Sequence, residues 1–292
     1  MSGKKIYTIV FLICLINMAS ACGPQSCDCT KQEIPLPEAK TSGIDGKRMV
    51  LISSGEFIMG TDKTDTENLH RKIGTVQPLY LDQHPERKVF LRAFYIDQYE
   101  VTNEEYKTFL DASGFMETPM NWEGDSYPEN LGNHPVTHII WSEAWSYCMW
   151  ARKQLPTEGQ WEKAARGFEG SLYPWGNDYE KGKGNIGIEG WRKTAPVGGF
   201  PQDVSAFQVY DMAGNVMEWT LDWYLPYPGN TRGDPRFGKR MKVLRGNGFQ
   251  KAGHYFLEAY RYSFARTEAD PDSFYENVGF RCASSFIEET GS

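Results

Sequence analysis

Apolar and polar positions alternate over "MVLISSGEFIMGT", residues 49–61, and Ser53, Ser54 and Gly55 interrupt the run. The pattern predicts a strand, a turn and a second strand. "HPERKVFLRAFYIDQYEVT", residues 84–102, carries a further strand signal. The period then changes. In "TNEEYKTFLDASG" Thr102 and Glu105 form a capping box, Tyr106, Phe109 and Leu110 recur at helical spacing, and Gly114 stops the helix. A second helix is predicted across "SEAWSYCMWARKQL", residues 142–155, with Trp145, Cys148, Met149 and Arg152 at helical spacing and Pro156 as the stop. Thr157 with Gln160 is a second capping box, opening a helix that Gly167 ends. Beyond Gly167 the periodicity fades into Trp-, Gly- and Asn-punctuated coil, with short strand-like pieces such as "MKVLRG" and "NVGFRCA". Irregular backbone must find hydrogen-bond partners outside a ladder, so side chains, bound ions and buried water are expected to hold this half.

Composition narrows the picture. Aromatic residues make up 14% of the 292, with nine Trp, enough for a sizeable core, while 29 Gly and 16 Pro fit a loop-rich domain. A net charge of −7 gives no basic surface for tracking phosphates, so nucleic acid is not an expected partner.

The first residues read as a targeting segment. Lys4 and Lys5 precede an apolar run from Ile6 to Met18, too short for a comfortable membrane span, and small residues "ASA" lead to Cys22. This resembles a bacterial lipoprotein signal over residues 1–21, with Cys22 lipidated and anchoring the chain to the membrane; ordinary secretory cleavage after Ala21 is the alternative. Either way export is expected, to the periplasm or cell surface. Residues 22–47, rich in Pro and polar residues, read as a tether, which holds Cys27 and Cys29. Only Cys148 and Cys282 remain beyond it, and in an oxidising compartment such a pair is most simply a disulfide.

"FIMG", "YEVTNEEYKTFL", "HPVTHIIWSEAWSYCMWARKQLPTEGQWEKAARG", "YPWGN", "TAPVG", "VYDMAGNVMEW", "VLRGNGF" and "NVGFRCA" follow one another in order. The set resembles the formylglycine-generating enzyme, or sulfatase-modifying factor, family over residues 48–287, leaving 288–292 as a tail. The resemblance implies one compact α+β domain of low regular secondary structure, related to C-type lectins. It also implies that Cys148 and Cys282 fall on family half-cystines that pair with each other. Family oxidases hold copper(I) between two cysteines, because soft thiolates suit that ion. Here Gly248 stands where the family motif has Ser, and Lys251 and Glu258 fall where the thiolates are expected, with Leu257 or Ala259 taking the second place if the insertion is placed differently. No cysteine lies between Cys148 and Cys282, so copper and thiolate oxidation are not expected. His254 with Lys251 and Glu258 is a thin set for a replacement metal centre.

The resemblance further implies structural calcium, with side-chain oxygens from Asp211 and Glu218 and carbonyls from Gly214 and Val216, a donor set that suits a hard cation. A second calcium site begins at Asn185 and Ile186, with Glu189 or the Trp191 carbonyl as further donors. Arg245, Arg266 and Arg281 match family core arginines and read best as buried ion pairs. Trp219, Trp223, Tyr224 and Tyr227 either pack or line a groove. The expectation is therefore a lipid-anchored envelope protein that binds a peptide, a glycan or another envelope protein. A divergent metal-dependent oxidoreductase is the alternative, and a sulfatase-maturation accessory protein is a third reading.

Overall fold

The computed structural model describes residues 38–72, 74, 76–187, 192–249 and 261–285. The chain divides into two units, Met1–Leu36 and Pro37–Ser292, and the described residues all belong to the second. Two capping boxes set the helical layer. Thr102 and Glu105 exchange their bonds at the start of α2 (Asn103–Ser113), and Gly114 ends it in the left-handed region. Thr157 and Gln160 do the same for α4 (Glu158–Arg166). Between them α3 (Trp141–Trp150) ends at Ala151, and Arg152 takes a positive φ of 56°. The helix thus closes before Pro156, earlier than the sequence pattern suggests. Its buried stripe is Ala144, Tyr147, Cys148 and Ala151, whereas Trp145 and Met149 are exposed.

The predicted strand–turn–strand forms as β2 (Arg48–Ile52) and β3 (Gly55–Met59), but the two enter different sheets. β2 joins β1 (Ala39–Thr41), β5 (Phe94–Asp97) and β10 (Ala283–Ser285) in the order β1-β2-β5-β10. β3 pairs only with β4 (Arg87–Leu91), antiparallel. A third sheet, β8-β7-β6-β9, is built from β6 (Met217–Trp223), β7 (Lys242–Arg245), β8 (Arg266–Ala269) and β9 (Val278–Gly279), with β6 and β9 parallel.

The fold begins before residue 48. β1 lies within the stretch that reads as tether, and Asp45, also in that stretch, forms a 2.7 Å ion pair with Lys153, whose ammonium also meets Asp97 at 2.7 Å. Pro- and Lys-containing sequence hides this strand because its pairing is settled by the neighbouring β2.

Aromatic packing fills the space between helices and sheets. Tyr106 meets Phe109, Trp122, Tyr147 and Phe280 at centroid distances of 5.3–6.5 Å, edge-on except for the stacked Tyr147. Cys148 on α3 is disulfide-bonded to Cys282, between β9 and β10, and both are fully buried in this cluster. A separate carboxylate organises the loop before β4. Asp65 accepts N–H bonds from Leu69, His70 and Leu79 and touches the His70 ring at 2.6 Å, pinning the one-turn helix α1 (Leu69–Lys72).

Candidate functional site

The i, i+4 spacing of Glu158, Glu162 and Arg166 places all three on one buried face of α4. β7 presents Arg245 to that face, where its two terminal nitrogens reach Glu158 at 3.0 Å and Glu162 at 2.8 Å. Arg266 on β8 meets Glu158 at 2.8 Å, and Arg166 meets Glu162. Glu162 also accepts the Gly60 N–H at 2.7 Å, which ties β3 to the ladder. Arg281 closes a second node: its guanidinium grips both oxygens of Glu218 at 2.8 Å, and Trp161 donates to Glu218 at 3.0 Å. Arg245, Arg266 and Arg281 are thus buried structural ions whose partners lie on α4 and β6.

Three loops meet beside Glu218. Asn215, itself at positive φ, donates its N–H to the Asn185 carbonyl at 2.9 Å and accepts the Asn185 side-chain amide at 3.1 Å. Phe249 donates to the Asn215 carbonyl at 3.0 Å, and Gly187 to the Gly248 carbonyl at 3.1 Å. Asn185, Asp211–Glu218 and Gly248 therefore share one neighbourhood. Gly214 must be glycine here, because a Cβ would stand 2.6 Å from the Asn185 carbonyl oxygen. At Gly248 a Cβ would stand 2.8 Å from the Asn277 amide nitrogen, so this chain packs Asn277 where a serine side chain would begin.

The neighbourhood is rich in oxygen. Asp211 accepts the Gly198 N–H at 2.6 Å, and Asp203 accepts Ala213 N–H at 3.1 Å on each oxygen. Glu100 is fully buried and neither of its oxygens meets a donor. Its neighbour is the Asp211 carboxylate, so the contact is a hydrogen bond only when one of the two carries a proton. Burial, and then the Asp211 charge, push Glu100 well above the usual carboxylate range. Burial likewise raises Asp211 and Asp203. The Asn185 Oδ1 is also buried without a donor. Orphaned acceptors of this kind are what an oxygen-seeking cation satisfies, and they fit the calcium donor chemistry of Asp211, Glu218 and Asn185. Glu218 contributes within limits, since Arg281 already engages both its oxygens. Among the described residues no three His, Cys, Asp or Glu side chains form a ready-made metal cluster, so any such ion would rely on backbone and amide oxygens too.

Glu100 escaped sequence reasoning because it sits in a strand-like run, 111 positions before Asp211, and only the fold brings them together. Lys251, His254, Glu258, Glu189 and Trp191 lie outside the described residues, as do Cys22, Cys27 and Cys29. Of the four candidate groove aromatics, Trp219, Tyr224 and Tyr227 are buried, with Trp219 donating to the Ile139 carbonyl at 3.3 Å and Tyr224 to Asp82 at 2.8 Å. Trp223 and Tyr227 line an open cleft beside Glu158.

Fold and site together define a mixed α/β domain with few regular elements and a buried charge ladder. The chain belongs to the sulfatase-modifying factor enzyme 1-like domain family, whose profile matches residues 34–286. It is 31% identical to the formylglycine-generating enzyme of Bos taurus, over 84% of this chain and 76% of that protein. With the formylglycine-generating enzyme of Thermomonospora curvata it shares 32% identity, over 82% and 93%. The inactive C-alpha-formylglycine-generating enzyme 2 of Mus musculus is 29% identical, over 81% and 85%. Among solved structures PvdO from Pseudomonas aeruginosa superposes with a TM-score of 0.66 at 24% identity, covering 87% of this chain and all of PvdO.

Proposed function

We propose that this protein is an exported, lipid-anchored member of the family that does not convert cysteine to formylglycine and serves as a binding or assembly component of the cell envelope. The observation that carries the reading is the fate of the thiols. Beyond the tether the sequence holds only Cys148 and Cys282, and these are buried and bonded to each other. No free thiolate is left in the domain to hold copper(I) in the way the family oxidases do. That a relative of similar identity is named an inactive formylglycine-generating enzyme supports the reading, since the family tolerates loss of the reaction. Export is supported by Lys4, Lys5, the apolar run to Met18 and Cys22, and by a disulfide suited to an oxidising compartment.

Calcium belongs to this reading as a structural ion. Asp211 and Glu218 with the Gly214 and Val216 carbonyls would hold one, and Asn185 with Ile186 a second. Its chemistry there is charge compensation of buried oxygens. The partner is a peptide, a glycan or an envelope protein.

The test is incubation of the full chain with a Cys-x-Pro-x-Arg peptide, oxygen and copper, read by mass spectrometry for formylglycine. No product is expected, alongside palmitate labelling that Cys22→Ala abolishes. Formylglycine in the product would overturn the reading in favour of a divergent metal-dependent oxidoreductase drawing on Lys251, His254 and Glu258.

A further inference from the structure

The cleft beside α4 is distinct from the calcium-type loops and encloses about 450 Å³, within the range of small-ligand sites. Its walls combine three chemistries. Trp223, Leu225, Pro226 and Pro228 supply an apolar side. Lys242 covers one face of the Trp223 indole at 3.8 Å from its centroid, and Trp223 also lines the cleft.

Two carboxylates also line the cleft. Asp222 receives the Glu158 N–H at 2.6 Å on Oδ2, which leaves Oδ1. Glu158 accepts from Tyr227 and Arg245 on Oε1, the oxygen that also pairs with the Arg266 charge, which leaves Oε2. The third component is a donor. Arg87 stacks on Tyr227 at 3.9 Å and spends Nη2 on the weak thioether acceptor of Met59, while its buried Nη1 meets no acceptor.

A ligand for these walls must donate to Asp222 and Glu158, accept from Arg87, and lay an apolar C–H face on Trp223. An anion gains Arg87 but meets two carboxylates. A cation gains the carboxylates but leaves the Arg87 N–H unsatisfied. A neutral polyol satisfies all three, because each hydroxyl both donates and accepts. We propose that the cleft lined by Arg87, Glu158, Asp222, Trp223 and Tyr227 is a binding subsite for a neutral pyranose of a glycan. The inference deepens the binding role proposed above and rests on it.

The test is isothermal titration of the full chain with maltose, cellobiose and N,N′-diacetylchitobiose, with hexaproline as the competing occupant. At least one disaccharide is expected to bind, and Arg87→Met and Trp223→Ala each to weaken it about tenfold, the effect of losing one charged hydrogen bond or one stacking wall. Thermal unfolding of both variants checks the fold, and Arg87→Met carries the test if Trp223→Ala does not fold. The assignment is overturned if no disaccharide binds by about 10 mM, if both variants bind as the parent does, or if hexaproline alone binds and is lost in Trp223→Ala. None of these results touches the proposal of lost oxidase activity, which the peptide assay on the same preparation decides separately.

Discussion

Removing the Cys148–Cys282 bridge should cost about 5 kcal/mol in chain entropy alone, and the figure follows from the loop it closes. The two residues are 134 positions apart. In the chain-entropy model a loop of that length restrains the unfolded chain by about 5 kcal/mol at 25 °C, slightly more than a loop of about 100 residues. Both sulfurs are buried in the Tyr106–Tyr147–Phe280 cluster, so Cys148→Ala with Cys282→Ala also leaves small voids, each costing about 1 kcal/mol. A folded domain has about 5–15 kcal/mol in total, so the loss is a large share of it. Urea denaturation of the double variant against the parent measures the difference. Two changes are expected together: a lower midpoint, and a steeper slope, because the released chain exposes more surface when it unfolds. A double variant within about 1 kcal/mol of the parent, with an unchanged slope, would refute the argument, since neither loop entropy nor packing would then be at stake.

The remaining predictions concern the charges and loops. Glu218→Gln breaks the buried grip on Arg281 and should cost about 3–5 kcal/mol in the same urea assay; a loss below about 1 kcal/mol would mean the pair relaxes to solvent. Gly214→Ala drives a methyl to 2.6 Å from the Asn185 carbonyl and should destabilise by about 1–3 kcal/mol, with calcium restoring less of the loss than in the parent. Calcium at a hundredfold excess over its dissociation constant should stabilise the chain by about 2.7 kcal/mol, reversibly with EDTA; a melting temperature indifferent to both would remove calcium from the account. Asp65 is held at about 2: burial pushes its carboxyl up, but N–H bonds from His70 and Leu69 outweigh it. Its stabilising contribution is therefore present above its ordinary value of 3.8 and lost as pH falls through about 2. Asp65→Asn should flatten the acid limb of the stability curve in that window, and an unchanged limb would show that other carboxylates govern it.

What the sequence made legible was local. The capping boxes at Thr102 and Thr157 are decided within four residues, and both helices start where those residues place them. The α3 stripe was less legible. "SEAWSYCMWA" offers apolar residues on every side, and the neighbours Phe280 and Tyr106 select Tyr147 for the core while Trp145 faces out. Strand β6 gave no alternation to read, because Met217 to Thr220 are buried on both faces, between β7 and β9. The site followed the same division. Asp211, Gly214 and Glu218 lie within one loop and show as a motif, but Glu100 and Asn185 reach them only through the fold. The cleft too was invisible, since Arg87 and Asp222 are 135 positions apart.

This division also explains how the fold persists without its thiolates. The α4 ladder joins Glu158 and Glu162 to Arg245 and Arg266, and the second node joins Glu218 to Arg281. Every one of these ions depends on another for its burial, so removing one partner would strand a charge at a cost of several kcal/mol. None of these six ions falls at Lys251 or Glu258, the positions the resemblance matches to the oxidase thiolates. A chain that carries Lys251 and Glu258 keeps all four of these pairs. The proposed exchange of metal chemistry for binding is therefore compatible with an unchanged ladder.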